Sequence, residues 1–346
     1  MQFRKFVLFI LSIFIFLLIN KDCKAQANRG NDTTYYIYFP ESITGRFYFS
    51  QKYTEFYMKS KEVKDIHYMP NTTLNMGVGA TYHNFSLNLA YGFGFLNKDD
   101  NKGDTKYLDL QGHFYKPKWA TDIYGQFYRG YHLTPEGYAA PIGDDYYYRH
   151  DVKVTLIGLS QYRIFNSTKF SYRAAMIQNE WQKKSAGTLL AGAEAYYGVI
   201  KGDSSLVPQS KAADFTQNGI DKINYLSIGP GVGYAYTLVG FQHLFVTGSI
   251  TGNLNFTYAT EYNGDNKNNK FSINPVARFR LAAGYNSRTW NVSANWVADH
   301  LPFRGDDDES KYELHTGNYR FIIAKRFATG ERLRKRLKFV NAVFKE

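Results

Sequence analysis

Histidines are the side chains best suited to hold a metal or move a proton near neutral pH. The chain has eight, His67, His83, His113, His132, His150, His243, His300 and His315. No two stand at metal-ligand spacing within one strand or helix, so no metal centre and no cofactor is expected. A hydrolase built on a β-wall would need a serine beside a strand histidine. His113 and His243 fall in strand-like segments, but neither has a companion Ser–acid pattern, so no enzyme activity is expected. The acidic runs Asp306-Asp307-Asp308-Glu309 and Asp99-Asp100-Asn101-Lys102-Gly103-Asp104 could attract calcium or bridge lipopolysaccharide through divalent ions. Neither fits a calcium-loop template, and both read as solvated loop charge.

A second set carries more. Asp109, Gln111, His113, Asp122, Gln126, Arg173, Glu194, Arg278, Arg280 and Arg320 each occupy the polar phase of a segment that alternates apolar and polar residues. If every segment is a strand, these side chains converge on one interior. In a narrow interior they would neutralise one another in a network, because an unpaired charge away from water is costly. In a wide, wet interior they would set ion selectivity, the arginines favouring anions.

The elements that must position them are hairpins. In residues 271–299 one arm alternates Phe271, Ile273, Ala277, Phe279, Leu281, Ala283 and Tyr285 with Ser272, Asn274, Arg278 and Arg280. After Asn286-Ser287 the other arm alternates Trp290, Val292, Ala294 and Trp296 with polar residues. A period of two means extended strands with one apolar and one polar face. No later segment reads as an amphipathic helix long enough to cover the apolar face. The structure that satisfies every backbone group is then a closed barrel, apolar outside in lipid and polar inside. Similar segments recur at 44–53, 72–95, 105–115, 121–129, 152–162, 170–178, 188–200, 223–238, 243–258 and 319–327. Short connections (83–84, 116–119, 240–242, 286–288) alternate with long polar ones (54–71, 96–104, 131–148, 201–221, 259–270, 300–316), as in outer-membrane barrels. The count fails between 178 and 223, where two successive connections would face outward. Either 187–200 does not span, or a strand hides in 201–222. An all-β, antiparallel, up-and-down transmembrane barrel of about 12 strands is expected, with about 14 the next choice.

Composition agrees. Aromatics make up 18% of the chain, with 30 Tyr and 27 Phe, enough for interfacial girdles. Residues 1–25 read as a cleaved export signal: Arg4 and Lys5, an apolar run from Phe6 to Ile19, then small residues. The one cysteine, Cys23, lies inside it, so the mature chain has neither disulfide nor thiol nucleophile. Residues 26–43 are a periplasmic lead-in, 44–327 the barrel and 328–346 a basic tail containing Arg332, Arg334, Lys335, Arg336 and Lys338. Of the net +12, the signal holds +3 and residues 325–346 hold +6, which leaves the barrel nearly balanced. Nucleic acid is therefore not an expected partner. Membrane lipid is, and the tail could also dock on anionic headgroups or on an acidic periplasmic protein. The expected address is the outer membrane of a diderm bacterium.

Tyr68-Met69-Pro70-Asn71 leading into Gly77-Val78-Gly79 and Tyr82, together with Gln182-Lys183-Lys184-Ser185-Ala186-Gly187-Thr188, resembles the exported domain-of-unknown-function family numbered 4421. The resemblance covers roughly residues 35–330. It implies a Bacteroidota outer-membrane barrel and transfers no catalytic residues. The Ser-Ala-Gly segment coincides with the failed strand count, where a special turn or an inward fold would fit. The expected function is a narrow passive pore or a small-solute or lipid conduit. The alternatives are an interaction barrel working through its tail or outward loops and, behind it, a lipid-modifying enzyme.

Overall fold

The structure, a computed structural model, describes residues 30–39, 42–82, 85–93, 96, 99–306 and 310–329. The expected signal segment, the basic tail after Thr329, the turn at His83 and most of the acidic run at 306–309 lie outside the described residues. Among the described residues no helix is long and apolar enough to cross a membrane.

The chain forms β1 (Tyr36–Tyr38), β2 (Ser42–Lys59), β3 (Ile66–Met69), β4 (Asn75–Tyr82), β5 (Phe85–Gly92), β6 (Lys106–Lys116), β7 (Trp119–Thr134) and β8 (Tyr148–Ile164). A short helix α1 (Tyr172–Met176) and β9 (Glu180–Gln182) follow. The rest is β10 (Ala186–Lys201), β11 (Lys222–Gly240), β12 (Leu244–Asn263), β13 (Asn266–Asn286), β14 (Trp290–Arg304) and β15 (Lys311–Ala328). All pairings are antiparallel. A ring closes through β2, β3, β7, β8, β10, β11, β12, β13, β14 and β15, which pairs back onto β2. It is a closed antiparallel barrel of ten strands, with β4, β5 and β6 paired to it outside the closed ring. The expected count of about 12 therefore does not describe the ring.

The difference arises at one break. The outer half of β2 pairs with β3 (Phe56↔Tyr68) and β3 with β7 (His67↔Thr134). At residues 70–74 pairing stops, and the inner half of β2 pairs with β4 (Phe47↔Val78). The inner half of β7 pairs instead with β6 (Leu110↔Gly125), and β5 pairs only with β4. Three short strands thus widen the wall at its inner end. Alternation finds strands, but not which neighbour each chooses.

The alternation itself holds. Phe271, Ile273, Phe279, Leu281 and Tyr285 on β13 stay exposed on the outer surface, while Arg278 and Arg280 are 1% and 3% exposed inside. The outward faces carry aliphatic and aromatic side chains and the inward faces meet, as expected of a wall between lipid and lumen.

Two readings need correction. Residues 170–178 are not a strand: they hold α1, folded into the inner mouth. That removes the parity conflict without either of the two solutions expected from sequence, since 186–201 spans and no strand lies in 202–221. The outward loops are also shorter than expected, because strands continue beyond the apolar belt. β12 and β13 run to Asn263↔Asn266 around Gly264 (φ 58°) and Asp265, a two-residue hairpin turn that favours Gly in the left-handed region. Likewise 54–59, 66–69, 300–304 and 311–316 are strand.

Candidate functional site

The site suggested by the sequence is the lumen, and the structure fills it in three layers. At the outer end Phe56, Met58, Tyr68, Tyr131, Val154, Tyr225, Phe303 and Tyr312 form an apolar core. Residues 202–221 fold onto it, burying Leu206, Val207 and Phe215, and Tyr68 Oη donates to the Leu206 carbonyl at 2.6 Å. This layer excludes water by burial, as an ordinary protein core does.

The middle layer is ionic. Asp122 on β7 takes charge-assisted contacts from Arg280 and from His113 Nδ1 (2.7 Å), and lies 3.6 Å from Arg278 Nη1. Arg278 also contacts Asp299 through Nε, Ser160 through Nη1 and Tyr196 through Nη2, and stands 3.7 Å from Glu194. Asn255 Nδ2 donates to Glu194 at 3.2 Å. These contacts join β13 to β7, β8 and β10 on the far side of the barrel. Two guanidinium groups face three carboxylates, and all five side chains are at most 2% exposed. A buried cation is tolerated where carboxylates and hydroxyls take its protons, as here. Asp109 is held separately by Lys52 (3.2 Å), Gln126 (3.0 Å) and Tyr128 (2.7 Å).

The inner layer is α1. Its N-cap is Ser171, whose Oγ accepts from Ala174 N at 3.1 Å. All five of its residues are buried, and the wall holds the free carbonyls beyond it. Asn286 Nδ2 donates to the Glu180 carbonyl (3.0 Å) and Asn295 Nδ2 to that of Ala175 (3.3 Å). Arg46 Nη2 donates to the Ile177 carbonyl (3.0 Å), and Arg326 Nη2 to those of Gln178 (2.6 Å) and Glu180 (2.9 Å). Tyr172 Oη meets Ser249 Oγ across the lumen. Losing the Arg326 bonds should cost about 1.5–3 kcal/mol of plug docking, or about 10- to 100-fold in its open population. Arg326→Ala is therefore expected to expose Lys169, Arg173 and Lys183 to trypsin in the folded barrel. A digestion pattern identical to wild type would show that Arg326 does not hold the plug.

Of the ten residues expected to line the lumen, all but Arg173 lie on strands. Arg173 belongs to α1, where its Nε lies 3.2 Å from Glu180. Asp122, Glu194, Arg278 and Arg280 form one network with His113, whereas Asp109 and Arg320 stand apart from it. Of the two arrangements open from sequence, a neutralising network in a narrow interior or arginines favouring anions in a wide one, the contacts of Arg278 and Arg280 with Asp122, Glu194 and Asp299 are of the first kind. Asp299 was missed. It continues the inward phase of Asn291, Ser293 and Asn295, but the alternation of that arm was followed only to Trp296, although the hairpin was read to residue 299.

The profile of the family described as Domain of unknown function (DUF4421) matches residues 30–327. The chain belongs to that family. This DUF4421 chain matches no curated protein in sequence. Its fold is similar to the outer membrane protease OmpT of Escherichia coli at a TM-score of 0.40 and 9% identity, covering 84% of this chain and 98% of that one. It is also similar to OmpT of Vibrio cholerae (0.28, 9%, covering 82% and 98%). The toluene transporter TodX of Pseudomonas putida gives 0.23 and 8%, covering 84% and 91%. At such identities the likeness concerns the fold alone.

The inner wall of the DUF4421 barrel has one further feature. Among the described residues, no strand pairs with the second edge of β5 or with that of β6. At the top of this seam Tyr107 Oη donates to Asn75 Oδ1 at 3.2 Å. Flanking it outside are Leu87, Leu89 and Tyr91 on β5 and Leu108, Leu110 and Phe114 on β6, all more than half exposed. Inside, around the seam, lie Arg46, Lys52 and Arg320. Arg46 reaches Asn88 (3.3 Å) and Ser86 (3.4 Å) on β5. Arg320 lies over the Tyr48 ring at 5.1 Å, with its Nε buried and without a hydrogen-bond partner. Among the described residues neither arginine meets a carboxylate.

Proposed function

We propose that this protein is an outer-membrane barrel closed along its axis, which exchanges an anionic amphiphile with the bilayer through the seam between β5 and β6. The observation that carries the reading is the pairing gap itself. Unpaired strand edges do not persist in hydrocarbon, because each unsatisfied backbone group costs several kcal/mol. They are tolerated where they border a wet interior, and a gap in a lipid-facing wall that borders one is a lateral port. Two arginines without acidic partners stand inside it to meet a carboxylate or phosphate, and the leucines outside match an acyl chain. Membrane lipid is the natural source of such a molecule, and the reading keeps the conduit expected from sequence while moving its path from the axis to the wall.

The test uses a fluorescent sixteen-carbon fatty acid and its methyl ester, titrated into the full chain folded in a neutral detergent. The acid should bind saturably, the ester at least about tenfold more weakly, and Arg46→Gln/Arg320→Gln should remove the difference, a discrimination of about 1.4 kcal/mol or more. Equal binding of acid and ester to the wild type would reject the arginines as a headgroup site.

A further inference from the structure

The strand register assembles a second cluster, on the outer wall and away from the seam. Across β14, β15 and β2 one row reads His300↔His315↔Glu55. The neighbouring row reads Pro302↔Glu313↔Tyr57↔His67, ending on β3. All these side chains share the outward phase. Directly below them the same strands carry Trp296, Tyr319 and Tyr53, with Trp296 and Tyr319 stacked at 6.0 Å and Trp296 Nε1 donating to Tyr53 Oη at 3.2 Å. Aromatic residues of this kind mark the water–lipid boundary of a barrel, and the outward side chains turn polar above them. The histidines therefore stand in water at the outer rim.

Within this patch three donor atoms converge. His300 Nε2 is 3.3 Å and His315 Nε2 3.0 Å from the same oxygen, Oε2 of Glu313. All three lie within 4.8 Å of one another, and the two rings are nearly perpendicular (86°) with centroids 4.6 Å apart. Four-coordinate zinc with bonds near 2.0–2.1 Å places its ligand atoms about 3.3 Å apart, close to the two histidine–carboxylate distances of 3.3 and 3.0 Å here. An ordinary ion pair explains the geometry less well. His300 Nε2 is buried and lacks a hydrogen bond of good geometry, and Lys59 Nζ, 3.6 Å away, already serves Glu313 while lying closer to Asp65 (2.7 Å). His315 is further held against the Tyr57 ring (4.5 Å), whose other face stacks on His67 at 3.9 Å. His300 and His315 also line an open groove of about 450 Å³ running down to Trp296 and Tyr319.

We infer that His300, His315 and Glu313 form a binding site for a divalent transition metal ion, with zinc the best match to two imidazoles and one carboxylate and with the groove side left for a water or an outside ligand. Two imidazole nitrogens and a carboxylate oxygen suit zinc, copper or nickel better than calcium or magnesium. The metal would tie the β14–β15 hairpin at the rim, independently of what passes through the seam.

The test is a titration of Co²⁺, followed by Zn²⁺ competition, into untagged full-length protein folded in detergent and stripped with a chelator. A visible absorption band of four-coordinate cobalt should saturate at one ion per chain and be displaced by Zn²⁺. His300→Ala and His315→Ala should each weaken binding at least tenfold, whereas His67→Ala should leave it unchanged. Folding of each variant is checked by its heat-dependent gel mobility, with Glu313→Gln as the substitute if a histidine variant fails to assemble. No saturable band below millimolar cobalt, or equal binding by wild type and the His300 and His315 variants, would overturn the site.

Discussion

Replacing Arg278 with methionine is expected to destabilise the folded barrel by about 3–5 kcal/mol, the cost of leaving buried partners uncompensated. Arg278 is 1% exposed and touches Asp299, Ser160 and Tyr196 while standing close to Asp122 and Glu194. Without it Arg280 is the one guanidinium of the network left to face three carboxylates, in a layer with little access to water. Methionine keeps most of the stem's packing, so the loss would report the charge and its hydrogen bonds. The expected observation is a lower urea midpoint for unfolding from detergent, followed by tryptophan fluorescence. Adding Asp299→Asn to Arg278→Met should recover part of the loss, since the two residues share one network and their effects are not additive. A midpoint within about 0.5 kcal/mol of wild type, as for an ordinary surface substitution, would mean that this layer is wet.

The parts of this protein that obey a period of two were readable in its residues. The hairpin of β13 and β14, the inward phase of Asp122, Glu194, Arg278 and Arg280, and the outward aromatic and aliphatic belt all follow from alternation, which depends only on local chain geometry. What alternation cannot express is partner choice. Nothing local distinguishes a β3 that closes the outer ring from a β4 that widens the inner wall, because the change happens at residues 70–74 without breaking the pattern on either side. Residues 170–178 misled for a related reason. Their mixture of Phe170, Tyr172, Ala174 and Met176 mimics a short alternating strand, yet capped by Ser171 and surrounded by the donors Asn286, Asn295, Arg46 and Arg326 they fold as a helical plug. Those donors belong to four strands, β13, β14, β15 and β2, and β2 joins the other three only when the barrel closes.

Two signals were present and passed over. Gly264-Asp265 is a two-residue hairpin-turn pair, and it marks a tight turn inside what reads as a long polar loop. Glu313 and His315 stand two residues apart, on one face of a strand, as soon as the strand is allowed to begin at Lys311. His300 joins them only through the register of β14 on β15, which the residues between 304 and 311 do not reveal. The histidine cluster therefore stays hidden to any search for ligands within one segment. The network of Arg278 was half visible: the charges could be placed inside, but not paired, because pairing crosses the lumen.

Axial closure rests on all three layers together, so removing one should not open the barrel. Without α1 the ion-pair layer and the apolar core would still stand in the path, and without the ion pairs the outer core and the plug would remain. Planar-bilayer recording of the purified, refolded protein tests this most directly, with folding confirmed by heat-dependent gel mobility. The wild type should give a silent bilayer under applied voltage, and so should a variant lacking the plug contacts, Arg326→Ala. Discrete unitary openings from the folded wild type would contradict a closed lumen and restore the passive pore.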